Sequence, residues 1–217
     1  GLFGNKIAKG RHDKDFVHWA KLEKDDPVSL TFRGSAGHGF GIFLPSDISI
    51  KLYGEANDFV GKGLCGGKIE IFPPKGSHFK PEENSILGNC ALYGATGGQL
   101  IAQGVGGDRF AVRNSGAEAI IEGVGIHALE YMTGGKVIIL GRSLGNIGAG
   151  MTGGTLYINA AEKDKVNLEY LVHVPFLAED MEYVIERLEY YIKATGSESA
   201  KQTLKKLKAR EFPLIKY

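Results

Sequence analysis

The chain has 217 residues, enough for one sizeable domain with a buried core. Its formal net charge is +1, which argues against electrostatic capture of nucleic acid or of a membrane surface. No apolar run approaches the roughly 18 residues that a membrane-spanning helix needs, and the start Gly1-Leu2-Phe3-Gly4 carries no secretory apolar segment.

Residues 1–27 are polar and charged, with Phe16, Val17, Trp19 and Leu22 as the apolar positions. They read as an N-terminal arm with room for a short helix. The arm stops at Asp26-Pro27, because the residue before a proline is pushed out of helical space.

Residues 28–160 form a glycine-rich block. All of the 32 glycines except Gly1, Gly4, Gly10 and Gly196 fall in it. Short apolar runs at 28–32, 42–44, 48–52, 69–72, 91–93, 110–112, 119–121, 137–140 and 156–158 have strand length and are too broken by glycine for helices. The glycines recur in a pattern. Gly54 leads to Gly66-Gly67 and then to 68–72. Gly94 leads to Gly106-Gly107 and 108–112. Gly123 leads to Gly134-Gly135 and 136–140, and Gly141 to Gly153-Gly154 and 155–158. The step from lead glycine to the second of the pair is nearly constant over the four cases. Pro73-Pro74 and Lys75-Gly76 open a longer excursion to about Pro81, which rejoins at Ile86-Leu87-Gly88.

In residues 161–217 glycine almost vanishes. Met181, Val184, Ile185, Leu188, Tyr191 and Ile192 repeat at helical spacing after an acidic start at Glu179-Asp180. Gly196 reads as the helix stop and Ser197 as the next cap. A second, basic helix runs to about Arg210. The two helices form a C-terminal helical extension expected to pack on the β block.

A loop of constant length that ends in Gly-Gly and feeds a short β run is one supersecondary unit used repeatedly. Such a unit cannot bury its apolar face alone, but stacked coils can. The expected fold is an all-β solenoid, a single-stranded parallel β-helix with a C-terminal helical tail. Neighbouring coils lie about 4.8 Å apart, so a pair without Cβ atoms avoids collision at the turn. Twelve glycines, Gly54, Gly66, Gly67, Gly94, Gly106, Gly107, Gly123, Gly134, Gly135, Gly141, Gly153 and Gly154, are therefore expected to be structural turn residues.

Whole stretches have a family look. Gly34-Ser35-Ala36-Gly37-His38-Gly39-Phe40-Gly41 opens the block, and Gly54-Glu55-Ala56-Asn57-Asp58-Phe59-Val60-Gly61-Lys62-Gly63 follows. Pro81-Glu82-Glu83-Asn84 leads into Leu92-Tyr93-Gly94-Ala95-Thr96. Then come Arg109-Phe110-Ala111-Val112-Arg113-Asn114-Ser115-Gly116-Ala117, Glu122-Gly123-Val124-Gly125-Ile126-His127 and Glu130-Tyr131-Met132-Thr133-Gly134-Gly135. Together they resemble the C-terminal GXGXG domain of the glutamate synthase large subunit, over most of residues 28–160. A weaker likeness continues at Tyr191, Thr195-Gly196-Ser197 and Ala200. The resemblance implies a right-handed parallel β-helix with no catalytic residue of its own, bracing a glutaminase module and an FMN-containing synthase module. Glutamate would be made from glutamine and 2-oxoglutarate, as part of ammonia assimilation. FMN and an iron–sulfur cluster are expected on partner subunits and no cofactor or metal on this chain. Only the last piece of such an enzyme is present in this sequence, which resembles the arrangement in which the domains are separate subunits. The C subunit of formylmethanofuran dehydrogenase also resembles this domain and supplies the alternative reading.

Other chemistry fits less well. Gly123-Val124-Gly125-Ile126-His127-Ala128 imitates a dinucleotide fingerprint, but the next apolar run already starts at Val137, too soon for a crossover helix and its turns. Gly61-Lys62-Gly63 lacks the first glycine and the Ser/Thr of a phosphate loop. The six histidines, His12, His18, His38, His78, His127 and His173, have no zinc spacing. His38 and His127 sit in glycine turns and are expected to bond backbone. Cys65 and Cys90 are expected to be buried, reduced thiols, consistent with a cytoplasmic protein. Asn57-Asp58, Asp108-Arg109 and Arg113-Asn114-Ser115 would serve either a carbohydrate-cleaving groove or coil-to-coil ladders, and sparse acid pairs favour the ladders. A homo-oligomer is compatible with these features.

Overall fold

A computed structural model describes residues 28–217. The expected N-terminal arm, residues 1–27, lies outside the described residues. The described residues form nine strands: β1 Val28–Ala36, β2 Ile48–Ala56, β3 Cys65–Phe72, β4 Gly97–Val105, β5 Ser115–Ile126, β6 Thr133–Ile139, β7 Ser143–Gly145, β8 Gly153–Asn159 and β9 Leu214–Lys216. Two helices, α1 Ala178–Thr195 and α2 Glu198–Lys208, lie between β8 and β9. Strands β1, β2, β3, β4, β5, β6 and β8 stack in chain order, each parallel to the next, so the fold is a parallel β-solenoid of seven coils.

The register explains the sequence period. Ile50 pairs with Ile69, then Leu100, Ala119, Val137 and Leu156 follow on successive coils. The steps along the chain are nearly equal, except that from Ile69 to Leu100, which is much longer. The long step contains the excursion after Phe72, which holds a 3-10 turn at Pro81–Glu83 and returns where Leu87 bridges Ala56 and Ser85 bridges Val105. One inward column is therefore Ile50, Ile69, Leu100, Ala119, Val137 and Leu156. The next is Leu52, Ile71, Ala102, Ile121, Ile139 and Ile158, and all of these are buried. Each fully buried Leu or Ile contributes about 1.5–3 kcal/mol.

The outward face of the same sheet is apolar as well, and this is where the tail goes. Phe72, Ile101, Ile120, Ile138, Leu140 and Tyr157 form a second core with Val184, Leu188 and Tyr191 of α1 and Ala200 and Leu207 of α2. Gly196 ends α1 in the left-handed conformation, with φ 71°, where a residue without Cβ is favoured. The Ser197 hydroxyl accepts from Ala200 N at 3.1 Å to start α2. The final residues form a strand that the sequence does not announce: β9 pairs antiparallel with β8 and covers that end of the sheet. The solenoid also runs past residue 160: Ala160–Lys165 is a 3-10 turn and Val166 still bridges Ile147 on the coil before.

Several strand expectations are corrected. Runs 42–44, 91–93 and 110–112 are turns, not strands. They belong to a corner that recurs on successive coils, in which alternate residues take positive φ: 39, 41, 43; 59, 61, 63; 90, 92, 94; 109, 111, 113; 127, 129, 131; and 146, 148, 150. The N–H groups of such a corner point alternately to the two neighbouring coils. Arg109 N donates to Ile126 O at 2.8 Å on the following coil, Ala111 N to Ala91 O at 2.8 Å on the preceding one, and Arg113 N to Glu130 O at 2.9 Å on the following one. The ladder satisfies the backbone while the second residue (Val60, Ala91, Phe110, Ala128, Ile147) is buried. Apolar content alone does not distinguish this corner from a strand.

The Gly94 repeat is corrected too. The pair equivalent to Gly66-Gly67 is Gly97-Gly98, since Lys68, which follows the first pair, is in register with Gln99, which follows the second. Gly106-Gly107 lies on another side of the coil and leads into a corner. Strand β4 escapes the apolar pattern because its run, Leu100-Ile101-Ala102, is short and flanked by glutamines.

Candidate functional site

The twelve glycines occupy three places. Gly66, Gly67, Gly134, Gly135, Gly153 and Gly154 stand at a bulge entering β3, β6 and β8, where the register shifts by one position. Gly135 has φ 91°, and a Cβ there would lie 2.7 Å from Asn114 Nδ2 and against the Ala117 carbonyl, so any side chain is excluded. Gly54, Gly123 and Gly141 line the opposite bend. A Cβ on Gly123 would meet Arg142 O at 2.7 Å and one on Gly141 would meet Glu122 O at 2.6 Å. Gly106 N donates to Gly123 O at 2.9 Å and Gly107 N to Gly88 O at 3.2 Å, on that same bend. Gly94 alone of the twelve is a left-handed corner residue, with open space around it.

The imitation motifs dissolve into this architecture. Gly123 and Gly125 lie inside β5 and are followed by a left-handed corner rather than a helix. Gly61 and Gly63 are two positive-φ residues of a corner, and Lys62 between them lies over the rings of Phe59 and Tyr93 at 5.3 and 5.6 Å.

The polar turn residues form ladders. Asp58 Oδ1 accepts from Asn89 N at 2.7 Å, Asn89 Oδ1 from Asp108 N at 2.8 Å, and Asp108 Oδ1 from Ile126 N at 3.0 Å. Each side chain ties its coil to the next and satisfies an N–H that the corner leaves unpaired. Asn114, fully buried, accepts from Gly116 N and Ala117 N and donates to Ala117 O, which fixes the bulge before the apolar part of β5. His127 takes part in a second ladder, with Asn146 Nδ2 2.8 Å from its Nδ1 and Asn167 Nδ2 donating to Asn146 Oδ1 at 2.9 Å. It bonds a side chain, not the backbone expected from its turn. Neither thiol is buried as expected: Cys65 is exposed and Cys90 half-buried. Cys65 directly precedes the bulge, and Cys90 occupies a left-handed corner position.

Under the helices three carboxylates anchor the tail to the sheet, a role the sequence does not signal. Burial alone would raise Glu70, but the hydroxyl of Tyr190 (2.5 Å) and the ammonium of Lys51 (3.1 Å), with Lys68 at 3.4 Å, hold it below the usual carboxylate range. Burial likewise works against Asp180, yet Lys216 (2.7 Å), the Leu177 N–H (2.8 Å) and the Tyr157 hydroxyl (2.7 Å) lower it. Glu122 is different. Burial pushes it up, and the hydroxyls of Ser197 (2.7 Å) and Tyr191 (2.8 Å), both on Oε1, offset this only in part. Its Oε2 is buried without a partner among the described residues.

A groove of about 370 Å³ crosses the bulge column, lined by Gly66, Gly67, Gly98 and Gly116 with Lys68, Gln99, Glu118 and Arg187 beside it. Its cations are committed: Lys68 lies over the Tyr190 ring at 4.0 Å, and Arg187 pairs with Glu186 at 3.1 Å. Among the described residues no cluster of three metal-ligating side chains occurs, and no helix is long and apolar enough to cross a membrane.

The family profile described as GXGXG motif matches residues 9–215. The chain is 46% identical over 209 residues to the chloroplastic ferredoxin-dependent glutamate synthase of Spinacia oleracea, covering 94% of this chain and 12% of that protein. It is 56% identical over 158 residues to the chloroplastic ferredoxin-dependent glutamate synthase 2 of Arabidopsis thaliana, covering 73% and 9%. It is 46% identical over 184 residues to the NADH glutamate synthase of Schizosaccharomyces pombe, covering 82% and 9%. The chain thus spans about a tenth of the length of these relatives.

Proposed function

The chain belongs to the GXGXG motif family, and from that premise we propose that it is the structural, non-catalytic module of a glutamate synthase, bracing a glutaminase module against an FMN-containing synthase module. The whole enzyme would make glutamate from glutamine and 2-oxoglutarate, with FMN and the iron–sulfur cluster held by the other modules. The observation that carries this reading is the use made of the polar turn residues. Asp58 and Asp108, two of the acids that a groove enzyme would have to use, and Asn89 between them each spend a side-chain oxygen on a backbone N–H of the next coil. Such a stack is stiff along its axis, because neighbouring coils are tied together by strand and corner hydrogen bonds. Stiffness is what holding two active sites at a fixed separation requires.

Native-level purification tests it. A flavoprotein and a glutaminase should co-purify with this chain, and the chain alone should show no visible absorbance from a flavin or an iron–sulfur cluster. Glutamine or 2-oxoglutarate turnover by the isolated chain, or a stoichiometric yellow or brown chromophore on it, would overturn the proposal.

A further inference from the structure

The corner face of the solenoid carries side chains where its own geometry favours none. Arg109 and Arg113 have φ 57° and 55°, and both are exposed. The positions equivalent to Arg113 on other coils are Phe43, Gly63, Gly94, Tyr131 and Gly150, and those equivalent to Arg109 are Gly39, Phe59, Cys90, His127 and Asn146. Glycine takes this conformation without strain and arginine does not. No ion pair offsets that strain: among the described residues neither guanidinium has an ionic partner, whereas Arg187 pairs with Glu186 and Arg33 stacks on Tyr53. On the same run of corners stand Tyr131 (55% exposed, φ 55°), Phe59 (37% exposed, φ 62°) and Lys62 between Phe59 and Tyr93. Arginine, tyrosine and tryptophan are the residues that carry most of the binding energy in protein interfaces. The backbones here are held by the coil-to-coil ladder, so little order would be lost on docking.

We propose that this face, centred on Arg109 and Arg113, docks onto a carboxylate-rich surface of a neighbouring protein module. The inference rests on the reading of the chain as a glutamate synthase part and adds which face is used and the charge it meets. Two guanidiniums present planar forks that match carboxylates. Asp58, Asp108 and Glu130 lie close by, all three within electrostatic reach of Cys90 together with Arg109. Carboxylates beside Arg109 repel a continuous polyanion such as a nucleic acid, while a protein surface can place its own acids around them.

The test measures the affinity of the full chain for the modules that co-purify with it. The R109G/R113G variant is the informative one. Glycine relieves the left-handed backbone, so its melting temperature should equal or exceed that of the wild type while its affinity falls at least tenfold. The salt dependence of binding should flatten as well. R109E/R113E should bind more weakly still, and K201E/K205E, on the helical hairpin, should bind as wild type. Wild-type binding by R109G/R113G would overturn this face and leave the structural reading standing. Failure of any module to co-purify would remove both. An equal loss in K201E/K205E would reveal a general charge effect and overturn the assignment. So would a dimer of the chain that R109G/R113G dissolves, since that gives the face to a second copy.

Discussion

The solenoid has two long faces that treat charge in opposite ways. Under α1 and α2, Glu70 and Asp180 meet lysines and hydroxyl donors, and even Glu122 has two hydroxyls on one oxygen. On the corner face Arg109 and Arg113 have no ionic partner among the described residues. The covered face is finished by folding, because buried charges must be paired or neutral to be tolerated. Among the described residues the corner face gains no ion pair from its arginines, and it bears a backbone strain for them. The corner acids Asp58 and Asp108 are also spent on folding, each on a backbone N–H of the next coil, so on that face the arginines alone are left for recognition.

Breaking the covered face should produce the largest effect. Asp180→Ala leaves Lys216 without its partner and strands the Tyr157 hydroxyl and Leu177 N–H, and should cost about 3–5 kcal/mol in urea unfolding followed by circular dichroism. A second change, Lys216→Met, should recover part of that loss, since it removes the orphaned charge. Leu188→Ala, at a fully buried position of the second core, should cost about 2–5 kcal/mol. A cost below about 1 kcal/mol in either single variant would mean that the hairpin is not firmly seated on the sheet.

Acidity sharpens the contrast within the covered face. Glu70 and Asp180 are lowered in the folded chain, so their contribution is present above the usual carboxylate range and is lost as pH falls through their folded values. Glu122 is raised, so its contribution is present at low pH and is lost as pH rises through its folded value. Glu122→Gln keeps an acceptor for Tyr191 and Ser197 and cannot ionise. Its stability relative to wild type should therefore increase as pH rises above the usual carboxylate range. A difference that does not change with pH would show that Glu122 ionises as readily folded as unfolded.

The smallest effect belongs to the corner. Arg113→Gly should stabilise the isolated chain by up to about 1 kcal/mol, since it removes an exposed side chain from a left-handed residue. Destabilisation by this change would mean that the arginine makes a packing contribution that its exposure does not suggest.

The glycine pairs before a β run are legible because two physical demands coincide at them. Coils about 4.8 Å apart leave no room for Cβ, and the bulge needs positive φ at the second residue of Gly134-Gly135 and Gly153-Gly154. The helical tail is legible from its period and from Gly196. The left-handed corners are not. Phe43, Leu92, Ala111 and Leu129 occupy positive-φ positions that residue type disfavours, and their stability comes from N–H bonds to coils far away in the chain. For the same reason Leu92 and Phe110 look like strand residues in the sequence.

The sequence by itself determined the repeat, its parallel stacking and the two-helix tail, because glycine spacing and apolar period act locally on every coil. Only the tertiary structure decided the register around the excursion, the pairing of β9 with β8 and the side of the sheet on which the helices settle. It also decided which charges are enclosed and which are left facing solvent. Those outcomes depend on contacts between distant coils, and no short window of sequence contains both partners.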